Sequence, residues 1–217
     1  MNKEFQKDRV RMVEKDIKER GIKEERILQV MGRIPRHMFV SEEYQDIAYR
    51  DNPLPIGYGQ TISQPYIVAL MISMLVVNES DSVLEIGTGC GYQTAILANL
   101  AKHVFSVEII PELAEKAKAT LSQLQINNVS IISSDGGCGW EENAPYNGIL
   151  VSAASPRVHK DLLHQLREGA RLVAPVGNPG YQILETWIKE GPTYKKETGI
   201  PVSFVPLLGK YGLNSDR

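Results

Sequence analysis

The strongest constraint on the fold is an alternation that begins at Ser82, where short apolar runs start to take turns with segments of helical periodicity. The apolar runs predict strands near 82–86, 103–108, 129–133, 147–153 and 170–176. The segments between them predict helices over 92–102, 111–124 and 156–167. Strands that alternate with helices in this way are typical of a parallel sheet with crossover helices. We therefore expect an α/β protein with a mostly parallel, doubly wound sheet.

The two ends of the chain depart from this alternation. Two short amphipathic helices are predicted before Pro35, and a long ordered loop is expected between Pro35 and Gln64, which includes three prolines and two glycines. At the other end, two strands around Gly191 and Pro192 give the sheet an antiparallel C-terminal part. We expect residues 1–65 to form a helical and loop extension, and residues 66–217 to form a single compact core.

Composition limits the class of protein. The 217 residues carry 24 basic and 26 acidic side chains, a formal charge of −2, so no global electrostatic bias toward nucleic acid or an anionic membrane is present. Cys90 and Cys138 lie far apart and lack the spacing of a metal or redox pair, so no metal site is expected. The charged N-terminus and the lack of a long apolar segment favour a cytoplasmic protein without a membrane span. We also expect a monomer, because no apolar interface stripe is left over.

A glycine-rich turn follows the first strand of the alternating region. The segment "VLEIGTGCGYQ", residues 83–93, places Gly87, Gly89 and Gly91 between a strand and a helix. Glycines allow a sharp turn and close approach of a ligand to the backbone, and the helix N-terminus offers unpaired N–H groups. Tyr92 stands where a dinucleotide-binding fingerprint would have its third glycine, which disfavours a nicotinamide site. A tight turn without any ligand remains the alternative.

Three acidic residues lie at strand ends in register with this turn. Glu85 ends the first strand, Glu108 ends the second, and Asp135 follows the third. The carboxyl ends of neighbouring parallel strands line one crevice, so the three acids are expected to lie close together. A carboxylate after the second strand suits a ribose diol, because it can accept both hydroxyl protons. Asp135 is placed to accept from an adenine amino group.

The combined pattern resembles class I S-adenosylmethionine-dependent methyltransferases, which have a Rossmann-like fold. This cofactor has no pyrophosphate, which agrees with the absence of a GKT or GKS ending after the glycines. The resemblance implies the following cofactor-binding residues: Glu85, Gly87, Thr88, Gly89, Gln93, Glu108, Ile109, Asp135 and Gly136. Glu85 is expected to orient the amino-acid end of the cofactor through backbone or water contacts.

Segments outside the cofactor motif narrow the resemblance. The chain is similar to protein-L-isoaspartate O-methyltransferases in "IPRHMFV", "GQTISQPYIVALM", "APYNGILVSAA", "LVAPVG" and "FVPL", which occur in the same order. The family methylates the abnormal carboxylate of L-isoaspartyl residues in damaged proteins, so isoaspartyl peptides and proteins are the implied substrates. By position Ser63 matches the catalytic serine, and Thr61, Ile62, Gln64 and Val205 match substrate-binding residues. The chain departs from the family in "SDGGCGW" and at Asn147, where aspartate is common.

The local sequence leaves two roles open for Ser63. A serine two residues before Pro65 is typical of a helix N-cap. A serine hydroxyl is also suited to hold a carboxylate nucleophile, which is ionised at neutral pH and needs no general base. One hydroxyl can do both, since it donates and accepts.

Other functional classes remain open at this level. The nearest rival is a methyltransferase that acts on a small molecule or RNA. A non-catalytic nucleotide-sensing module would bind the cofactor without turnover, and an oxidoreductase would require a nicotinamide cofactor.

Overall fold

A central sheet organises the structure, a computed structural model that describes residues 3–212. Its strands are β3 (Ser82–Ile86), β4 (His103–Glu108), β5 (Val129–Ser133), β6 (Tyr146–Val151), β7 (Leu166–Asn178), β8 (Tyr181–Glu190) and β9 (Thr193–Val202). A separate hairpin is formed by β1 (Leu54–Gly57) and β2 (Gln60–Ile62).

The strand order of the seven-stranded sheet is β5-β4-β3-β6-β7-β8-β9. Strands β3 to β7 are mutually parallel, and β8 and β9 join antiparallel to β7 and to each other. The order reverses at β3, from which the chain winds outward to β4 and later returns to β6 on its other side. This arrangement confirms the predicted α/β, Rossmann-like fold with an antiparallel C-terminal part.

The helices cover the two faces of the sheet. They are α1 (Lys3–Arg11), α2 (Glu25–Met31), α3 (Pro65–Leu75), α4 (Tyr92–Ala98), α5 (Pro111–Gln123) and α6 (Lys160–His164). The predicted helix over 156–167 is confirmed only within α6 and is wrong on both sides of it. The chain before α6 is not helical, because Ser155 pairs with Val176 and its hydroxyl donates to the carbonyl of Arg157 at 2.8 Å. The chain after α6 enters β7 at Leu166, which pairs with Tyr146.

The N-terminal extension is more regular than expected. The first helix continues from α1 as a π-helical segment, Met12–Lys18, and α2 follows it as the second predicted helix. The segment between Pro35 and Gln64, expected to be one long ordered loop, contains 3₁₀ turns at Arg36–Phe39 and Glu42–Ile47 and then the β1-β2 hairpin, so the expectation of a loop throughout is wrong in part.

Strand alternation divides the core into two layers. Val83 packs with the extension, α3 and α4 on one face, whereas its neighbour Leu84 packs with α6 and the apolar side chains of β6 on the other. Both side chains are fully buried. Within residues 3–212, no helix is long and apolar enough to cross a membrane.

Candidate active site

A cleft lies over the carboxyl ends of β3, β4 and β6. Its wall brings together the turn after β3, the end of β4, the start of the turn after β5 and the β2 segment of the extension. Of the predicted cofactor residues, the wall contains Gly87, Thr88, Gly89, Gln93, Glu108, Ile109 and Gly136. Glu108 is the one charged side chain among the described residues of this wall.

The glycine turn shapes the floor of this cofactor cleft. Gly87 has a φ of +91°, and its N–H donates to the carbonyl of Val107 at 2.8 Å, which ties the turn to the end of β4. Gly91 has a φ of +88°, and a Cβ there would lie 3.1 Å from the Cβ of Ala117 on α5. Glycine is therefore required at both positions by backbone conformation, and at Gly91 also by close packing.

Glu108 is held rigidly at the edge of the cleft. Its Oε2 accepts from the N–H of Gly89 at 2.8 Å, and its Oε1 accepts from the N–H of Ile110 at 3.0 Å. Each carboxylate oxygen keeps further acceptor capacity beyond these bonds. A fixed carboxylate with two free lone-pair directions suits the two hydroxyls of a ribose.

Glu85 lies behind the wall of the cleft and is fully buried. Its Oε1 accepts from Gln93 Nε2 at 3.0 Å, and its Oε2 accepts from Thr94 Oγ1 at 2.5 Å and Ser106 Oγ at 2.7 Å. Burial raises the pKa of Glu85 to about 7, and these three hydrogen bonds only partly oppose that rise. The sequence predicts that Glu85 contacts the cofactor, but its carboxylate does not line the cleft. It contacts Gln93, whose side chain does.

Asp135 also lies outside the wall. Its Oδ1 accepts from the N–H of Gly137 at 2.9 Å, and its Oδ2 accepts from the N–H of Lys210 at 2.8 Å. The carboxylate therefore fastens the turn after β5 to the C-terminal segment. Asn147, the departure from the family pattern, accepts from the N–H of Ser82 at 3.1 Å and thereby links the starts of β6 and β3.

A second cleft adjoins the first and shares part of its wall. Its described lining carries no charged side chain. It comes from Pro53, from part of 61–67, from Ser152, and from 201–205, which contains the last two residues of β9 and the three that follow them. Four residues line both clefts, and these are Thr61, Ser63, Ser152 and Val205. Of the other predicted substrate residues, Gln64 lines only the second cleft and Ile62 only the first.

The capping interpretation of Ser63 is wrong. Helix α3 begins at Pro65, and its N-cap residue is Gln64, whose side chain makes no capping hydrogen bond. The carboxylate of Asp51 takes that role, because its Oδ1 accepts from the N–H of Tyr66 at 3.1 Å. The side chain of Ser63 is therefore not needed to start the helix.

Sequence reasoning missed Ser152 and Arg36. Ser152 directly follows β6, beside β3, so the strand-end rule that identified the acids would also have found it. Arg36 is fully buried, and its guanidinium donates to the backbone carbonyl of Ser63 at 2.8 Å. No local pattern indicates that contact, because the two residues are 27 positions apart.

Comparisons with known proteins match nearly the whole chain to one enzyme family. The family model described as Protein-L-isoaspartate(D-aspartate) O-methyltransferase matches residues 7–212. A protein-L-isoaspartate O-methyltransferase of Syntrophus aciditrophicus is 52% identical over 211 residues, which cover 96% of this chain and 97% of that protein. One from Syntrophobacter fumaroxidans is 49% identical over 209 residues, covering 96% and 97%.

Solved structures show the same similarity. A protein-L-isoaspartate O-methyltransferase structure has a TM-score of 0.86 and 28% identity, and the match covers 94% of this chain and 67% of that one. A Plasmodium falciparum protein solved in complex with S-adenosyl-L-homocysteine has a TM-score of 0.79 and 24% identity, covering 92% and 98%. At that identity the second match supports the fold.

Proposed function

The chain belongs to the protein-L-isoaspartate(D-aspartate) O-methyltransferase family, and from this premise we propose how its two clefts divide the work of the reaction. The reaction transfers a methyl group from S-adenosyl-L-methionine to the free carboxylate of L-isoaspartyl residues in damaged peptides and proteins. We assign the cofactor to the first cleft and the peptide to the second. The observation that carries this assignment is the wall shared by both clefts, where Ser63 lies.

The residues of the first cleft fit the cofactor. Glu108 would hold the ribose hydroxyls, and the backbone of Gly87 and Gly89 with Thr88 would contact the amino-acid end. Ile109 and Gly136 would flank the adenosine. When bound, the cofactor supplies an electrophilic methyl group on a sulfonium centre. Because Asp135 is engaged by backbone N–H groups, we propose that it supports the adenine side by fixing the turn that contains Gly136.

The second cleft suits a carboxylate that is already ionised. The reference pKa of such a group is about 3.3–4, so the nucleophile needs no general base at neutral pH. What remains is alignment, which can lower a barrier by several kcal/mol. The uncharged wall contains hydroxyl donors that can orient the carboxylate, and Ser63 is the donor we assign to that task. Thr61, Gln64 and Val205 would line the path of the peptide, and Ile62 would support the junction from the cofactor side.

Three further assignments concern the whole chain. We propose that residues 1–65 act as the substrate-binding extension of the 66–217 core, since Thr61 and Ser63 come from it; residues 1–2 and 213–217 lie outside the described part. We propose a monomer without a nucleic-acid partner, which the formal charge of −2 supports. The free thiols of Cys90 and Cys138 support a reducing, cytoplasmic location.

Peptide binding tests the division of the two clefts. The protein, saturated with S-adenosyl-L-homocysteine, is titrated with an isoaspartyl peptide and separately with its normal aspartyl twin. We expect the isoaspartyl peptide to bind more tightly, and Ser63→Ala to remove most of that difference. Equal affinity for the two peptides in the wild-type protein would contradict the assignment of the second cleft.

A further inference from the structure

Ser152 lines both clefts and comes from the core, whereas Thr61 and Ser63 in the same shared wall come from the N-terminal extension. It directly follows β6, and its backbone N–H donates to the carbonyl of Ile86 at 2.8 Å. A Cβ built on Gly87 would lie 3.5 Å from the Cβ of Ser152, so the residue packs directly against the glycine turn. Ser152 is thus fixed by the sheet at a point that faces both clefts.

The hydrogen bonds around Ser152 set the direction of its hydroxyl. Nε2 of Gln93 donates to Ser152 Oγ at 2.6 Å and to Glu85 Oε1 at 3.0 Å. At a pH above its pKa of about 7, Glu85 is ionised and its carboxylate can only accept, which fixes the Gln93 amide with its NH₂ group toward both partners. Ser152 Oγ is therefore the acceptor of that bond, and its own proton remains available.

The available proton has a matching acceptor in the substrate. Within residues 3–212, no protein group accepts a hydrogen bond from the Ser152 hydroxyl, whose oxygen is bonded to Gln93 Nε2. A carboxylate presents two oxygens, and the shared wall holds Ser63 from the extension and Ser152 from the core. Hydroxyl donors leave the carboxylate more nucleophilic than an arginine fork would, because neither carries a formal charge.

We propose that Ser152 is a second substrate-binding residue, which donates its hydroxyl proton to the isoaspartyl carboxylate while Ser63 donates to the same group. This inference rests on the proposed function. Gln93 and Glu85 act as positioning residues. Gln93 donates to the Ser152 oxygen, Glu85 fixes the Gln93 amide, and the Ser152 proton is left free to be donated at the junction.

Three serine variants test the proposal. A hydrogen bond to a charged group contributes enough that Ser152→Ala should lower kcat/KM for an isoaspartyl peptide by about tenfold or more, with a raised KM. Ser152→Thr keeps the hydroxyl and should restore most of that loss. Ser73→Ala, on α3, removes a hydroxyl that donates to Leu70 within the helix and serves as the matched control. Affinity for S-adenosyl-L-homocysteine, measured calorimetrically, should stay within about twofold in all three.

Two results would overturn the assignment of Ser152. The first is a Ser152→Ala variant whose kcat/KM stays within about twofold of wild type. The second is a Ser152→Ala variant that loses as much affinity for S-adenosyl-L-homocysteine as it loses in kcat/KM. The second result would place the hydroxyl on the cofactor. A wild-type protein that does not methylate the isoaspartyl peptide would overturn the proposed function and this inference together, so the two failures are distinguishable.

Discussion

Nη2 of Arg36 donates to the backbone carbonyl of Ser63 at 2.8 Å, while Nε of the same guanidinium donates to the carbonyl of Ala48 at 2.8 Å. Arg36 is fully buried and lies over the ring of Tyr92, with its Cζ 4.8 Å from the ring centroid. Burial lowers the pKa of this guanidinium. A buried cation is costly unless hydrogen bonds compensate it, and here two backbone carbonyls do so. Because one of them belongs to Ser63, we infer that Arg36 holds the backbone at Ser63 in place.

Replacement of Arg36 by Met should destabilise the protein and lower its turnover. Two carbonyls would lose their donor, at about 1–3 kcal/mol each, partly offset because the buried charge is removed. We expect the free energy of unfolding to fall by about 2–4 kcal/mol in urea titrations. Arg36→Lys keeps the charge but cannot donate to both carbonyls. Its free energy of unfolding and its turnover should lie between those of wild type and Arg36→Met. Unchanged turnover in a folded Arg36→Met protein would contradict a positioning role.

Replacement of Ser63 by Ala should separate catalysis from folding. Because Asp51 caps α3, we expect the free energy of unfolding to change by no more than about 0.5 kcal/mol. Turnover should fall by about tenfold or more, since a donor to the charged nucleophile is lost. Parallel urea titrations and initial rates check both parts, with Ser73→Ala as control. A large loss of stability with turnover retained would restore the capping interpretation.

Replacement of Glu108 by Gln should weaken cofactor binding. Only one of the two oxygens would remain as an acceptor, and the new amide would face either the N–H of Gly89 or that of Ile110. We expect the Kd for S-adenosyl-L-homocysteine to rise by about tenfold or more in calorimetric titrations. Glu112→Gln, on the first turn of α5, is a suitable charge-matched control. Unaltered affinity in Glu108→Gln would remove Glu108 from the cofactor site.

The stability of the protein should depend on the ionisation of Glu85. Its pKa in the folded state, about 7, lies above the ordinary value of 4.5, so the folded state binds this proton more tightly than the unfolded state. The associated stability is fully present below about pH 4.5 and is lost as the pH rises through about 7. The loss amounts to at most about 3 kcal/mol.

Glu85→Gln isolates this effect, because every other titrating group is common to both proteins. Urea titrations between pH 5 and 8 should show wild type losing stability relative to the variant as the pH rises. If the free energies of unfolding of the two proteins change equally with pH, the pKa of Glu85 is the same in the folded and unfolded states, which would contradict the prediction.

The sequence predicts the strands well where apolar runs end in turn residues. The bounds of β3, β4 and β5 agree with the predicted 82–86, 103–108 and 129–133. The acid at the end of β4 also reaches the cleft as expected, because register alone places it there.

The remaining features depend on contacts distant in sequence. Asp51, and not Ser63, caps α3, which no pattern around residue 63 reveals. Glu85 and Asp135 occupy predicted strand ends, yet hydrogen bonds from other elements turn their carboxylates away from the cleft wall. The direction of a side chain at a strand end is set by the donors that tertiary packing brings to it.

The most direct test of the account is methyl transfer from labelled S-adenosyl-L-methionine to an isoaspartyl peptide and to its aspartyl twin of identical sequence. The uncharged junction around Ser63 and Ser152 predicts label in the isoaspartyl peptide alone, as a base-labile methyl ester on its free carboxylate. Equal labelling of the two peptides, or of neither, would contradict the account.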